Sequence, residues 1–122
     1  MNSEIQQIEI AIQHYFDGLY EGDVEKLKKV FNTKASLFIE SNGHLLSTPV
    51  PEWFNRIASR PSPASQNLQR KDEILFIDRV GPVNALAKIA CIVPPKSYTD
   101  YLSLIKFEKR WQIVAKSYCE NA

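Results

Sequence analysis

The first part of the chain carries apolar residues at helical spacing. In the segment SEIQQIEIAIQHYFDGLYEGD, apolar positions recur every three or four residues, which predicts an amphipathic helix. Ser3 and Gln6 have the spacing of a capping box at its start, and Gly22 is suited to its C-terminal end. The stripe predicted to face the core consists of Ile5, Ile8, Ala11, Ile12, Tyr15, Phe16 and Leu19.

Two shorter helices are predicted after it. Asp23 can cap a second helix over VEKLKKVF, and Pro51 lies near the first turn of a third helix over PVPEWFNRIAS. Each carries a few large apolar residues at a spacing that puts them on one side. The side chains predicted to point inward from these two helices are Val24, Leu27, Phe31, Trp53, Phe54 and Ile57.

The pattern changes to strands after Asn32. The segments ASLFIE and HLLS flank Asn42-Gly43, a strong signal for a tight hairpin. RPSPASQNLQRK is typical of a loop, and four strands follow: EILFIDRV, ALAKIACIV, YTDYLSLIKF and RWQIVAKSYC. Short connections at Gly81-Pro82, Pro94 to Ser97 and Glu108-Lys109 predict an antiparallel meander. Helices first and strands last indicate an α+β fold.

A predicted register places an aspartate inside the sheet. Counting back from a tight turn at Glu108-Lys109 pairs Lys106 with Trp111, Leu104 with Ile113, Leu102 with Ala115, Asp100 with Ser117, and Tyr98 with Cys119. Counting across the Pro94 to Ser97 loop pairs Ala87 with Leu104, Ile89 with Leu102, and Cys91 with Asp100. One face then runs from an apolar floor into a polar patch formed by Cys91, Tyr98, Asp100, Ser117 and Cys119.

The opposite face of the same strands is mixed in character. It would carry Lys88, Thr99, Tyr101, Ser103, Lys116 and Tyr118. Aromatic residues with aliphatic neighbours on a face turned toward solvent indicate a covered patch. We therefore expect a homodimer that uses the surface around Tyr101, Lys116 and Tyr118.

Length and composition limit the classes of function. The 122 residues predict a single domain over residues 1–122, and 44% hydrophobic and 24% charged residues are ordinary for a globular protein. A net charge of +1 without a basic stripe argues against nucleic acid as a partner. No signal peptide or membrane-spanning run is recognised, so we expect no membrane association. Cys91 and Cys119 suit a reduced, cytoplasmic protein.

Three stretches resemble a known family. YFDGLYEGDVEKLKKVF, EWFNRIASRPSP and YTDYLSLIKFEKRW are similar to the "putative lumazine-binding" branch of the NTF2-like superfamily, and the likeness covers nearly the whole chain. The resemblance implies a strongly bent sheet wrapped on three N-terminal helices, a conical pocket, and commonly a homodimer through the outer sheet face. Superfamily members include isomerases, dehydratases and cyclases that use pocket Asp, His or Tyr residues, alongside pure binding proteins.

The chain departs from the family pattern at two positions that matter for chemistry. NTKAS stands where many relatives carry a His-Pro-Asp stretch, and Cys119 stands where a histidine is frequent near the end of the last strand. Both departures remove an imidazole, which weakens the case for acid–base chemistry by histidine. Neither His14 nor His44 replaces it, because both are expected at the solvated surface.

Asp100 and Tyr98 are the catalytic candidates. A carboxylate in an apolar cup has its pKa raised by desolvation, which suits proton transfer, and a tyrosine hydroxyl can donate to a carbonyl or oxyanion. The alternative is that Asp100 accepts hydrogen bonds and only shapes the sheet, and that the tyrosines are wall residues. The residues expected to contact a ligand are Tyr15, Phe16, Trp53, Ser117 and Cys119.

Two functions remain open at this stage. The first is a small-molecule binding protein with an apolar conical pocket, which could also act as an isomerase or lyase by proton transfer. The second is a dimeric interaction module whose pocket is filled by side chains. Arg60 could reach an anionic group at the pocket mouth, although surface arginines are common. No residues have metal-ligand or phosphate-loop spacing, so neither a metal nor a cofactor is expected.

Overall fold

A computed structural model describes residues 3–93 and 95–121 of the chain. Three helices precede most of the strands, and a short 3₁₀ turn at Ala64–Gln66 interrupts the predicted loop. Pro94, part of the predicted connection before the fifth strand, lies outside the described residues. The elements are α1 Glu4–Glu21, α2 Val24–Val30, β1 Phe31–Ser41, β2 His44–Pro49, α3 Val50–Ser59, β3 Asp72–Val80, β4 Asn84–Val93, β5 Lys96–Phe107 and β6 Arg110–Glu120.

The ends of α1 follow the local signals in the sequence. The Ser3 hydroxyl accepts a hydrogen bond from the backbone N–H of Gln6, and the Gln6 side chain accepts one from the Ser3 N–H. Gly22 ends the helix in the left-handed conformation, at φ 68°. Ile5 is 38% exposed, so the buried stripe begins one turn later than predicted, at Ile8.

The first hairpin is also determined locally. Asn42 and Gly43 both have positive φ, at 51° and 81°, which is the conformation of a type I′ turn between two twisted strands. One boundary differs from the prediction, because α2 ends at Val30 and Phe31 begins β1. Phe31 is nevertheless buried, so its predicted contribution to the core is correct.

The six strands form one sheet in the order β2-β1-β6-β5-β4-β3. The predicted meander from β3 to β6 is confirmed, and only the pairing of β1 with β6 is parallel. The concave face packs against the helices, with residues of α1 such as Ile12 in the same core as Leu104 and Ile113. The apolar floor predicted from the sequence is buried throughout: Ala87, Ile89, Leu102, Leu104, Trp111 and Ile113.

The predicted register between β5 and β6 is correct at the turn and wrong beyond it. Glu108 and Lys109 form the predicted tight turn with φ values of 52° and 67°, and Leu104 pairs with Ile113 as expected. Val114 then has no partner on β5, because Ser103 pairs with Ala115. This β-bulge inserts one residue into β6, and a one-residue slip turns every later side chain to the other face.

The bulge reverses the predicted faces of the last part of β6. Asp100 lies opposite Tyr118 and Leu102 opposite Lys116, instead of Ser117 and Ala115. The pairing of Tyr98 is with Glu120, and Cys119 pairs with Thr99. Lys116 and Tyr118 therefore share the concave face with Asp100, while the predicted pocket residues Ser117 and Cys119 are on the convex face.

The register between β4 and β5 differs from the prediction by two residues. Ala87 pairs with Leu102, Ile89 with Asp100, and Cys91 with Tyr98, because the pairing continues to Val93 and Lys96 and leaves a shorter connection than expected. A shift by two residues preserves the face of each side chain. Cys91 and Asp100 thus remain on the concave side.

Candidate functional site

The apolar filling of the concave face ends at a small cavity, which we call the Asp100 cavity. Its volume is about 110 Å³. This is below the several hundred Å³ typical of pockets for drug-sized ligands, and it accommodates several waters or one small molecule. The cavity is lined by Leu19, Trp53, Arg60, Cys91, Tyr98, Asp100, Lys116 and Tyr118.

Asp100 is held in the centre of the sheet. It lies on β5 between Ile89 of β4 and Tyr118 of β6, and only 1% of its surface is exposed. Neighbouring strands on both sides fix its backbone, and alternation along β5 fixes the direction of its side chain. The carboxyl group is therefore positioned by the sheet and not by a mobile loop.

Tyr15, Lys116 and Asp100 form a buried polar group beneath the cavity. The Tyr15 hydroxyl donates to Asp100 Oδ2 over 3.3 Å and accepts from Lys116 Nζ over 2.7 Å. Lys116 Nζ lies 3.4 Å from the same carboxylate oxygen. Tyr15 is completely buried and Lys116 is 7% exposed, so water does not screen these contacts as it does at a surface.

Aromatic rings surround the ammonium group of Lys116. Nζ lies 5.3 Å from the ring centre of Tyr15, 5.2 Å from that of Trp53 and 4.9 Å from that of Tyr118. A cation within about 6 Å of a ring face is attracted by the ring quadrupole. These rings, together with Asp100, explain how a lysine can be buried here.

One carboxylate oxygen of Asp100 is left without a partner. Asp100 Oδ1 is buried and has no hydrogen-bond donor among the described residues. Oδ2, in contrast, accepts a hydrogen bond from Tyr15 and lies beside Lys116 Nζ. Burial raises the pKa of Asp100 above its usual value, and Lys116 and Tyr15 oppose that rise. A buried acceptor without a donor is uncommon in proteins and costs free energy until a donor reaches it.

The Cys91 thiol and the hydroxyl groups of Tyr15 and Tyr118 are neutral near pH 7. Burial raises the pKa of the Cys91 thiol to about 11, so Cys91 is a protonated thiol and a poor nucleophile. Burial also raises the pKa of Tyr118, and that of Tyr15 well above its usual value. The arrangement therefore offers one carboxyl group for proton transfer, one fixed cation and tyrosine hydroxyl groups as donors.

The structure brings together some of the residues expected at the site and separates others. Trp53 and Tyr98 line the Asp100 cavity, and Tyr15 lies directly beneath it. Phe16 lines a separate cleft of about 20 Å³. Ser117 and Cys119 are exposed on the convex face, so neither is available to a ligand in the cavity.

Lys116 and Tyr118 are the residues that sequence reasoning missed at the site. The run Ile113-Val114-Ala115 has no apolar–polar alternation, so the register there was open to a bulge. A further signal was Asp100 itself, since a buried carboxylate requires a cation nearby and Lys116 is the last lysine of the neighbouring strand. Both residues were predicted to form the outer dimer surface, which they do not.

The histidines and the possible metal ligands add nothing to this site within the described residues. His14 and His44 are exposed, and no group of three or more His, Cys, Asp or Glu side chains in the described part of the chain is arranged to hold a metal ion. Within the same ranges, no helix is both long and apolar enough to cross a membrane.

Comparison with protein families identifies relatives over almost the whole chain. A family model described as "Putative lumazine-binding" matches residues 3–119. A comparison with curated proteins gives no significant match.

Solved structures with the same architecture come from several organisms. An NTF2-like protein of unknown function from Shewanella baltica is 24% identical, with a TM-score of 0.86 over 100% of this chain and 99% of that chain. A second, from Methylobacillus flagellatus, is 23% identical, with a TM-score of 0.83 over 98% and 93%. The association domain of CaMKII from C. elegans is 15% identical, with a TM-score of 0.69 over 94% of each chain. At these identities the likeness establishes the fold alone.

Proposed function

The chain belongs to the family described as "Putative lumazine-binding", and we propose that it binds a small molecule in the Asp100 cavity. The observation that carries the proposal is the unpartnered Asp100 Oδ1, buried in the wall of a cavity of about 110 Å³. An unsatisfied buried acceptor costs about 1–3 kcal/mol, and more when it is charged. A ligand whose donor reaches Oδ1 would recover that free energy, and Asp100 is part of the cavity lining.

Thermal unfolding in the presence of candidate compounds tests the binding proposal. We expect lumazine, or one of a set of flat heterocycles and small carbonyl compounds, to raise the melting temperature of the wild-type protein. Asp100→Asn should abolish that rise, measured from the variant's own melting temperature without ligand. It should also lower the unfolding free energy by about 3 kcal/mol, because it leaves the buried ammonium of Lys116 without its counter-charge. Asp78→Asn is the matched control, since Asp78 is exposed on β3 and pairs with Leu86 away from the cavity.

Two results would count against binding at this site. One is a full screen in which no compound raises the melting temperature of the wild-type protein. The other is a compound that stabilises the wild type and the Asp100→Asn variant equally, because its binding would not involve the carboxylate.

We further propose that the site can transfer a proton next to a carbonyl group, as an isomerase or lyase does. Support comes from the raised pKa of Asp100, which burial causes, and from the cation of Lys116 beside it. A base whose pKa lies nearer the working pH transfers protons more efficiently, and a neighbouring cation stabilises the enolate that results. Tyr98 and Tyr118 supply hydroxyl groups at the same cavity.

Hydrogen exchange in D₂O separates catalysis from simple binding. A carbonyl compound that stabilises the protein should exchange its α-hydrogens faster with wild-type protein than without it, as followed by NMR. Asp100→Asn should remove the acceleration, and Asp78→Asn should keep it. If a compound binds but its α-hydrogens exchange no faster, the catalytic proposal is contradicted and the binding proposal stands.

The convex face supports a second candidate function, self-association. Phe76, Leu86 and Tyr101 are exposed there by 53%, 36% and 49%, on three adjacent strands. Exposed apolar side chains grouped on one face are typical of an interaction surface. This revised surface keeps Tyr101 and excludes Lys116 and Tyr118. Equilibrium sedimentation should show a dimer at tens of micromolar that Tyr101→Ser weakens; a wild-type monomer under those conditions would contradict it.

A cytoplasmic location is the final part of the proposal. Cys91 and Cys119 are both free thiols, one buried and one exposed. Free cysteines persist in reducing compartments, whereas oxidising ones favour disulfides. Cell fractionation tests this directly, and recovery outside the cytoplasmic fraction would contradict it.

A further inference from the structure

We propose that the ligand of the Asp100 cavity is a small, single-ring molecule that carries one negative charge and one N–H or O–H donor. This inference rests on the proposed binding function and names the class of ligand. Three independent observations carry it: the surplus of positive charge in the cavity wall, the unpartnered carboxylate oxygen, and the aromatic surfaces beside them.

The charges of the cavity wall do not balance. Arg60 and Lys116 are cationic, and Asp100 is the one acidic residue of the lining. The surplus is one positive charge when Asp100 is ionised and two when it is protonated, so both states favour an anion. Anions are attracted to a partly enclosed cationic site because the low dielectric constant strengthens the interaction.

Arg60 is the cation that is available to a ligand. Its guanidinium group forms no ion pair or hydrogen bond within the described ranges, whereas Arg70 pairs with both Asp17 and Asp72. Arg60 directly follows α3 and is exposed, so it stands where a ligand would enter. A planar guanidinium matches the geometry of a carboxylate better than a lysine does.

The donor requirement comes from Asp100. Oδ2 already accepts a hydrogen bond from the Tyr15 hydroxyl and lies beside Lys116, so a ligand donor is directed to Oδ1.

The shape requirement comes from the aromatic rings that border the cavity. Tyr98 and Tyr118 meet edge to face at 6.0 Å, and Trp53 borders the same cavity. These walls and the volume of about 110 Å³ favour a flat ligand of one ring.

Three simple compounds test the two chemical requirements separately. 3-Hydroxybenzoate carries the anion and the donor, benzoate carries only the anion, and phenol carries only the donor. Titration calorimetry should show 3-hydroxybenzoate binding about tenfold more tightly than either of the other two, since one hydrogen bond to a charged group is worth at least that factor. The preference for the anions should decrease as salt concentration increases.

Variants assign each requirement to its residue. Arg60→Gln should weaken both benzoates several-fold and leave phenol unchanged. The matched control is Arg79→Gln, which removes the same charge from an exposed position on β3 and should leave all three affinities unchanged. Asp100→Asn should remove the preference for 3-hydroxybenzoate over benzoate.

The outcomes distinguish this inference from the function on which it rests. Equal binding of the three compounds, or equal effects of Arg60→Gln and Arg79→Gln, would overturn the ligand class. If lumazine binds in an Asp100-dependent manner but both benzoates bind no better than phenol, binding at the site stands and the anionic class is wrong. If lumazine, the wider screen and all three ring compounds fail to bind at millimolar concentration, both proposals fail.

Discussion

Two lysine–carboxylate pairs lie where α1 packs against β5 and β6, and they differ in how completely they are satisfied. Near the β5–β6 turn, Glu4 Oε1 accepts from Lys106 Nζ over 2.6 Å and Oε2 accepts from Trp111 Nε1 over 2.8 Å. Beyond the bulge at Val114, Lys116 lies 3.4 Å from one oxygen of Asp100, and the other oxygen has no partner. We call them the Glu4 pair and the Asp100 pair.

The difference separates a structural contact from a candidate site. The Glu4 pair is partly exposed, its oxygens are both occupied, and the two hydrogen bonds lower the pKa of Glu4. The Asp100 pair is almost completely buried, yet it leaves an oxygen free and burial raises the pKa of its carboxyl group. Buried groups left unsatisfied in an otherwise regular fold are where function is expected.

The largest expected loss of stability comes from replacing Trp111, which donates a hydrogen bond to the Glu4 pair. Trp111→Ala should lower the free energy of unfolding by about 3–5 kcal/mol, because it opens a cavity in the core and removes a donor from Glu4. Chemical denaturation measures this loss, and Phe107→Ala, at a half-exposed position outside the proposed self-association surface, serves as a control for removing an aromatic side chain. A loss below about 1 kcal/mol would contradict the packing described for Trp111.

A smaller effect is expected from breaking the Asp100 pair. Lys116→Met should cost about 3 kcal/mol at neutral pH, since it leaves a buried carboxylate without its cation. Without Lys116 the folded-state pKa of Asp100 rises further. A raised carboxyl pKa favours the folded state at low pH, and that advantage is lost as pH rises through it. The deficit of the variant should therefore be smallest in acid and should grow as pH rises above the ordinary carboxyl pKa and through the folded-state value.

The double variant Lys116→Met, Asp100→Leu is the control for that reading. Replacing both charges with apolar groups of similar size should restore most of the lost stability and remove the pH dependence. If the double variant is no more stable than Lys116→Met, the loss arises from packing around the lysine stem and not from the orphaned charge.

The smallest effect is expected at the Glu4 pair, with the opposite pH dependence. Hydrogen bonds from Lys106 and Trp111 lower the pKa of Glu4 below its ordinary 4.5, so its contribution is present above pH 4.5 and is lost as pH falls through the folded-state value. Glu4→Gln should therefore reduce stability at neutral pH, by less than either variant above because solvent screens the pair. The difference from wild type should disappear in acid, and a difference that grows there would contradict the assignment.

Local signals in the sequence predicted most of the fold. The capping box at Ser3, the Asn42-Gly43 turn and the tight Glu108-Lys109 turn each depend on neighbouring residues, and all are present. Their effects are visible in sequence because the atoms involved are only a few residues apart.

The candidate site could be predicted only in part, because it depends on pairing between strands. Asp100 lies on the concave face as the alternation along β5 predicts, but its neighbours on β6 depend on whether Val114 is bulged. The register counted without a bulge placed Lys116 on the outer face, where lysine is usually found. Tyr15 reaches Asp100 across 85 positions in sequence, and no local pattern reports a contact of that range.

The bulge at Val114 has a consequence for how this protein and its relatives can diverge. If Val114 paired with Ser103 instead of bulging, at unchanged chain length, Lys116 and Tyr118 would be exchanged for the small side chains that now face outward. The core before the bulge, from Arg110 to Ile113, would keep its pairing with β5. The presence or absence of one bulge can therefore replace the chemistry of the cavity without rebuilding the scaffold. Functional residues of relatives should accordingly be matched by the face they occupy and not by their column in an alignment.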